Sequence, residues 1–423
     1  MHEQRIHIKN GRLIDPKNKV DQSTDLFISD GKILAQGSAP AGFIADREID
    51  ASGCIVCPGL VDISAGLPNL DSELAAAVAG GVTAIACPPD TKPPLDEPSL
   101  VERLIQRSAS IGLARVFPIG ALTQQLEGER LSEMVGLARA GCIAFSQAKK
   151  PIFDTQVLFR AMQYAATFGY AIRLQPQDHY LARDGVAHDG EVASCLGLAG
   201  IPVCAETLAI STALHLAQET GVRLHFAKLS SAAGVELVRE ARANGVKVSC
   251  DVTVHHFHLD EADIGYFDSH ARFDPPLRSS SDRIALRKAV ADGLAVVCSD
   301  HTPLDEDGKQ LPFAESLPGA SSLELLLPLI LRWAEEEKLS LPVALARITC
   351  DPADILGIDG GTLEIGQRAD ICIFNPHETW HVEPERLRSQ GKNTPFLNDG
   401  MIGRVRATLV EGRLVFEAKE VNQ

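Results

Sequence analysis

The chain has 423 residues, 45% of them hydrophobic and 23% charged, and a net charge of −16. That length exceeds one ordinary small domain and suits a large barrel with a smaller unit beside it. The acidic balance argues against nucleic acid and against anionic membrane surfaces as partners.

In chain order, the start Met1-His-Glu-Gln-Arg-Ile6 is polar, so no export signal is expected. No apolar run approaches the length of a bilayer span, and a cytoplasmic location is expected. Residues 5–15 alternate and turn at Asn10-Gly11, which predicts a hairpin. Residues 25–35 repeat the pattern with Asp30-Gly31 as the turn, and 47–50 add another strand. Residues 53–57 read as a further strand. It holds Cys54 and Cys57, whose spacing would suit redox or zinc chemistry if a second pair existed; in a strand the two face opposite sides. The other cysteines lie mostly inside apolar runs, as reduced core thiols do.

Residues 58–355 alternate apolar runs with helical ones. The strand candidates are 54–62, 82–87, 115–120, 141–146, 170–175, 222–227, 246–252 and 294–300, and helical stretches separate them. Eight βα units predict a closed (β/α)8 barrel of the TIM type. An open doubly wound sheet would carry a glycine-rich phosphate loop after an early strand, and none is present. Residues 369–374 and 408–416 are strand-like again, the latter turning at Glu411-Gly412. The expected organisation is therefore a small, sandwich-like β domain built from residues 1–57 and 356–423, with the barrel at 58–355.

Several stretches carry a family resemblance. They are Pro58-Gly-Leu-Val-Asp62, Ala86-Cys-Pro-Pro-Asp90-Thr-Lys-Pro, Gly190-Glu191 with 196–206, Phe273-Asp-Pro-Pro-Leu-Arg278, Ser299-Asp-His-Thr-Pro303 and Lys392-Asn-Thr-Pro-Phe396. Over nearly its whole length the chain resembles a dihydroorotase of the cyclic amidohydrolase superfamily. Each stretch alone is weak; together they are specific.

The same resemblance shows what is altered. The family's first strand reads Pro-Gly-hydrophobic-hydrophobic-Asp-x-His-x-His, and the two histidines ligate metal. Ser64 and Gly66 stand at those positions. Gln147 stands at the bridging acid, Gln175 at a later histidine, and Lys228 at the second histidine of a His-x-x-His-x-Ser pattern. Asp300 alone remains, at the place of the general base that activates a metal-bound water. Pro68 stands where an arginine grips the substrate carboxylate, Asp90 and Asp274 where neutral asparagines belong, and Leu304 at a last histidine. The resemblance thus implies a barrel with its zinc site and its anion grip both removed, and no cofactor. A buried Asp300 without metal needs a partner, and the Lys228 ammonium is the expected one. His255, His256 and His258 are expected to form a hydrogen-bonded loop cluster rather than a metal site, and His225 and His301 to make hydrogen bonds. Asp178 and His179 lie near Gln175 in sequence, and local structure is expected there in preference to a relocated ligand set.

What the resemblance implies for function is a non-catalytic partner. In some bacteria an inactive dihydroorotase-like chain is needed for assembly of aspartate transcarbamoylase, the preceding pyrimidine enzyme. A homodimer of this chain within such a hetero-oligomer is the expectation. The alternative is an active or re-purposed cyclic amidohydrolase with an atypical metal site.

Overall fold

The computed structural model describes residues 4–419. The first residues of the polar start, Met1 to Glu3, lie outside them. The centre of the fold is a parallel sheet of eight strands, each paired with the next in sequence. We label them β1 (Leu60–Asp62), β2 (Val82–Cys87), β3 (Arg115–Ala121), β4 (Ala144–Ser146), β5 (Ala171–Leu174), β6 (Arg223–Phe226), β7 (Val248–Thr253) and β8 (Ala295–Cys298). The sheet curls until its ends meet just beyond β1 and β8, where Ala65 bridges His301 in parallel and Gly66 N–H donates to the His301 carbonyl at 2.8 Å. This is the TIM-type barrel expected from the sequence.

The helices between the strands follow the sequence signals. Ser231 caps the helix Ala232–Ala243, Asp154 caps Thr155–Phe168, and Ser279 with Asp282 forms a capping box at the start of Ser280–Ala291. Several end at a left-handed glycine, among them Gly112, Gly169 and Gly221. Among the described residues, no helix is long and apolar enough to cross a membrane.

The terminal segments form two further sheets. One has four strands in the order Lys32–Gln36, Leu26–Ser29, Ile6–Lys9, Arg47–Asp50. The other has six, in the order Arg413–Glu417, Gly400–Val410, Ile371–His381, Ile55–Pro58, Arg12–Asp15, Val20–Ser23. Ile6, Ile8, Leu26 and Ile28 of the first pack against Leu13, Val56, Ile371 and Leu409 of the second in one apolar cluster. Two β-rich ends thus build one sandwich.

Two local readings change. Asn10-Gly11 does not close a hairpin. Ile6–Lys9 and Arg12–Asp15 lie in different sheets, so the chain crosses from one layer to the other at Gly11. The crossing brings Gly11 so close to Val56 that an added Cβ would stand 2.6 Å from its Cγ2. The run 54–62 is likewise not one strand. Ile55–Pro58 pairs with Ile371–Phe374 in the sandwich, and Leu60–Asp62 begins the barrel. Gly59 makes the break, where a side chain would collide with Thr83. The turns at Asp30-Gly31 and Glu411-Gly412 do close hairpins, with positive φ at all four residues, as a type I′ turn requires.

Candidate functional site

In a TIM-type barrel the loops after the strands form the active face, so the residues just beyond β1, β4, β5, β6 and β8 define the candidate site. Lys228 lies two residues beyond β6 and Asp300 two beyond β8. Their side chains meet: Lys228 Nζ forms an ion pair with Asp300 Oδ1, with only 10% and 6% of the two side chains exposed. Both residues have positive φ, 60° and 48°. Such strain persists only where the surroundings over-determine it. At Lys228 the hold is visible: its backbone N–H donates to Asp251 Oδ1 at 2.8 Å. Burial alone would lower the Lys228 pKa, but Asp300 outweighs it by charge and hydrogen bond, and the ammonium is held charged. The partner expected for Asp300 is the one it has.

The remaining positions lie, like this pair, beyond the C-terminal ends of the barrel strands. Ser64 is buried and its N–H donates to Asp62 Oδ1 at 3.2 Å. Gly66 lies on the closing seam, where an added Cβ would stand 3.1 Å from the His301 carbonyl oxygen. The Gln147 carbonyl accepts from Thr123 Oγ1 at 2.9 Å, while its buried amide nitrogen has no partner. Gln175 Nε2 reaches Asp274 Oδ1 at 3.4 Å. Asp90 and Pro68 are exposed, Pro68 in the turn before the helix Leu70–Ala79. Leu304 N–H donates to Asn393 Oδ1 at 2.9 Å, so the C-terminal segment braces the loop after β8.

Zinc takes thiolate, imidazole and carboxylate ligands. This set offers a hydroxyl, two amides, an ammonium, a glycine without a side chain, and one carboxylate already paired to the ammonium. The residues present do not fit the metal.

The histidines divide. His256 accepts at Nδ1 from Thr253 Oγ1 (2.7 Å) and donates from Nε2 to the Pro275 carbonyl at 3.0 Å; burial lowers its pKa to about 4. His258 donates to the Leu329 carbonyl at 2.9 Å, and burial takes it to about 3. His255 departs from the expected hydrogen-bonded cluster. Both its ring nitrogens are buried without partners, and its ring stacks on Phe273 at 4.6 Å. His301 donates to Glu73 at 2.8 Å and accepts from Ser322 N–H. Asp178 caps the short helix His179–Ala182, and His179 is exposed beside Phe153 and Tyr180, so the two serve local structure.

The sequence reading missed a polar network inside the barrel, beneath the Lys228–Asp300 pair. Asp251 on β7 accepts from His225 Nε2 at 2.8 Å, lies 3.3 Å from an Arg173 guanidinium nitrogen, and is met by Cys298 Sγ at 3.3 Å. Burial pushes the Asp251 pKa up, but His225 and Arg173 outweigh it and hold the carboxyl at about 2. Arg173 also donates to the Ile63 carbonyl at 2.6 Å. Asp62 takes two hydrogen bonds from Ser299, one from its backbone N–H at 3.1 Å and one from its hydroxyl, which ties β1 to β8. Burial raises Asp62 to about 6 despite those donors. Alternating side chains along β5 and β7 were the available signal, since Arg173 and Asp251 both interrupt apolar runs.

The architecture defines a class, the cyclic amidohydrolase type of barrel with an attached β sandwich. L-Hydantoinase (dihydropyrimidinase) from Arthrobacter aurescens superposes with a TM-score of 0.86 at 26% identity, over 99% of this chain and 97% of that one. A D-hydantoinase structure gives 0.81 at 21% identity, a likeness of fold, over 97% and 95% of the two chains. Family models described as "Dihydro-orotase-like" and "Amidohydrolase family" match residues 53–233 and 236–416. A "Dihydroorotase-like protein" of Pseudomonas aeruginosa is 45% identical over 97% of this chain and 99% of its own length, and a "Dihydroorotase" of Syntrophotalea carbinolica is 39% identical over 98% and 100%. The chain belongs to the dihydroorotase-like family of amidohydrolases.

Proposed function

We propose that this chain no longer performs the cyclic-amide chemistry of its family and is a cytoplasmic structural subunit needed for assembly of aspartate transcarbamoylase. One observation carries the reading. The ammonium of Lys228 is paired with Asp300, the carboxylate that the family's chemistry would use as ligand and base. A carboxylate engaged by an ammonium is not free to ligate a metal or to orient a water. Without a metal, moreover, water stays far too weakly acidic at neutral pH to act as nucleophile. The substrate side supports the same reading. By the family resemblance, Asp90 and Asp274 put carboxylates at positions where an anionic substrate would be met, and Pro68, in place of an arginine, cannot grip one.

In this reading the chain holds no zinc and turns over no dihydroorotate. Its rigid barrel and sandwich supply the large faces that a stable complex needs, above roughly 1,000 Å² of interface. A homodimer bridging symmetric catalytic trimers satisfies closed symmetry. The competing reading is an active cyclic amidohydrolase with an atypical metal site. A single preparation separates the two. The purified chain is assayed for bound zinc and dihydroorotate turnover, and the transcarbamoylase of the same source is assayed for carbamoyl-aspartate formation with and without it. Substoichiometric zinc, no turnover and a transcarbamoylase dependent on the chain support the proposal. Stoichiometric, chelator-sensitive zinc with turnover supports the alternative.

A further inference from the structure

The opposite end of the barrel carries a second arrangement that the proposed function does not use. A cavity of about 460 Å³ opens among the starts of β4 to β7, with the helix Cys350–Leu356 at its edge. That volume is within the range of small-molecule sites. Ser249 and His225 line it, as do Arg223, Arg242 and Lys247; the one carboxylate in the lining, Asp354, is paired with Lys17 at 2.8 Å, so the lining carries net positive charge on a chain whose net charge is −16. His225 and Ser249 are register partners on β6 and β7, and Asp251 is two residues further along β7, so all three side chains point to one face. The distances follow: Ser249 Oγ to His225 Nδ1 is 2.8 Å, and His225 Nε2 to Asp251 Oδ2 is 2.8 Å.

The proton positions are fixed by this geometry. Asp251 is ionised, so it only accepts, and the proton of neutral His225 must sit on Nε2. Nδ1 is then a bare lone pair, and the Ser249 hydroxyl must donate to it. Burial keeps His225 neutral in the ground state, and Asp251 stands ready to stabilise the imidazolium. Nucleophile, base and orienting acid are thus in hydrogen-bond reach of one another, with the roles of the two ring nitrogens exchanged relative to the usual serine triad. Asp251 and His225 are fully buried, whereas Ser249 is partly exposed to the cavity.

We propose that Ser249 is an activated nucleophile and that this cavity is an esterase-type site for small acyl esters carrying a negative charge. Ser249 Oγ forms a bond to the acyl carbon while its proton passes to His225 Nδ1. The bond from the acyl carbon to the alkoxy oxygen breaks, and His225 returns the proton to the departing alcohol. Water then repeats the sequence: its oxygen bonds the acyl carbon, His225 takes its proton, the acyl–Oγ bond breaks and Ser249 recovers its hydrogen. The balance is ester plus water to acid plus alcohol. Arg242 and Lys247 supply the charge that selects an anionic acyl group and meets the developing oxyanion.

The test uses the full chain and two probes. A fluorophosphonate is added and the modified peptide is located by mass spectrometry; the p-nitrophenyl hemiester of succinate and the neutral acetate ester are then compared as substrates. Labelling at Ser249 is expected, with turnover of the hemiester exceeding that of the acetate by about tenfold, as charge selection gives. Ser249→Ala should lose both label and turnover, and Lys247→Glu should lower hemiester turnover until it no longer exceeds that of the acetate. Circular dichroism confirms that each variant is folded, and because Lys247 is exposed its variant still reports if Ser249→Ala does not fold. A label that falls only on other residues, hydrolysis undiminished in Ser249→Ala, or a hemiester preference unchanged in Lys247→Glu overturns the proposal. None of these outcomes depends on whether the chain assembles with a transcarbamoylase.

Discussion

Replacing Lys228 by methionine is the sharpest perturbation of the emptied site. The side chain keeps all but the last atom of its length and loses its charge, so Asp300, whose side chain is 6% exposed, is left as a buried carboxylate. Removing one partner of a buried pair costs about 3–5 kcal/mol, because the other charge is stranded. The stranded carboxyl has one escape, which is to take up a proton. Its folded pKa then rises above the ordinary value of about 4, so the loss is absent below that pH and grows by about 1.4 kcal/mol per unit above it. Lys228→Met should therefore be roughly 2–3 kcal/mol less destabilising at pH 5 than at pH 7. The double variant Lys228→Met with Asp300→Leu should recover most of the loss, since a buried pair replaced by apolar groups is often neutral or better. Urea unfolding followed by circular dichroism at both pH values measures all of this. A change below about 1 kcal/mol at pH 7, or a double variant no better than the single one, would refute the reasoning.

Other outcomes follow from the same geometry. Ser64→His with Gly66→His should not bring turnover, because the Lys228 ammonium still holds Asp300 and catalytic groups that act as a unit fail together. The new Cβ at 66 must also sit 3.1 Å from the His301 carbonyl oxygen, so the double variant should lose a little stability; dihydroorotate turnover and a melting curve check both statements. Asp251, held at about 2, contributes stability that is complete above its unfolded pKa near 4 and is lost as pH falls through the folded value. Acid unfolding of Asp251→Asn should therefore show a shallower pH dependence between about pH 2 and 4 than the parent. Zinc added during refolding should not raise the melting temperature, as a ligand bound only by the folded state would.

Much of the barrel was legible because each strand is a short apolar run between helical stretches, and that signal is local. The hairpin at Asn10-Gly11 was misread for the same reason. A turn signal says that the chain turns, but which strand it then pairs with is decided by apolar contacts far away, such as Leu13 with Val56. Gly59 hid the boundary between sandwich and barrel inside one continuous apolar run. At the site, the resemblance pointed to Ser64, Gly66, Gln147, Gln175, Lys228 and Asp300. Charge balance then anticipated that Lys228 would pair with Asp300. Neither route found Arg173, His225 and Asp251 as one network, because their meeting depends on the register of three strands. His255 shows the opposite failure: its neighbours in sequence are hydrogen-bonded, yet it packs as an aromatic ring against Phe273.

The proposed role is tested most directly by mass. Aspartate transcarbamoylase catalytic chains from the same source are expressed with and without this chain, and the products are analysed by size exclusion with light scattering alongside carbamoyl-aspartate formation. The account predicts that a large, active species containing both chains forms only on co-expression. A transcarbamoylase that reaches the same mass and activity alone, with this chain eluting separately, would contradict it.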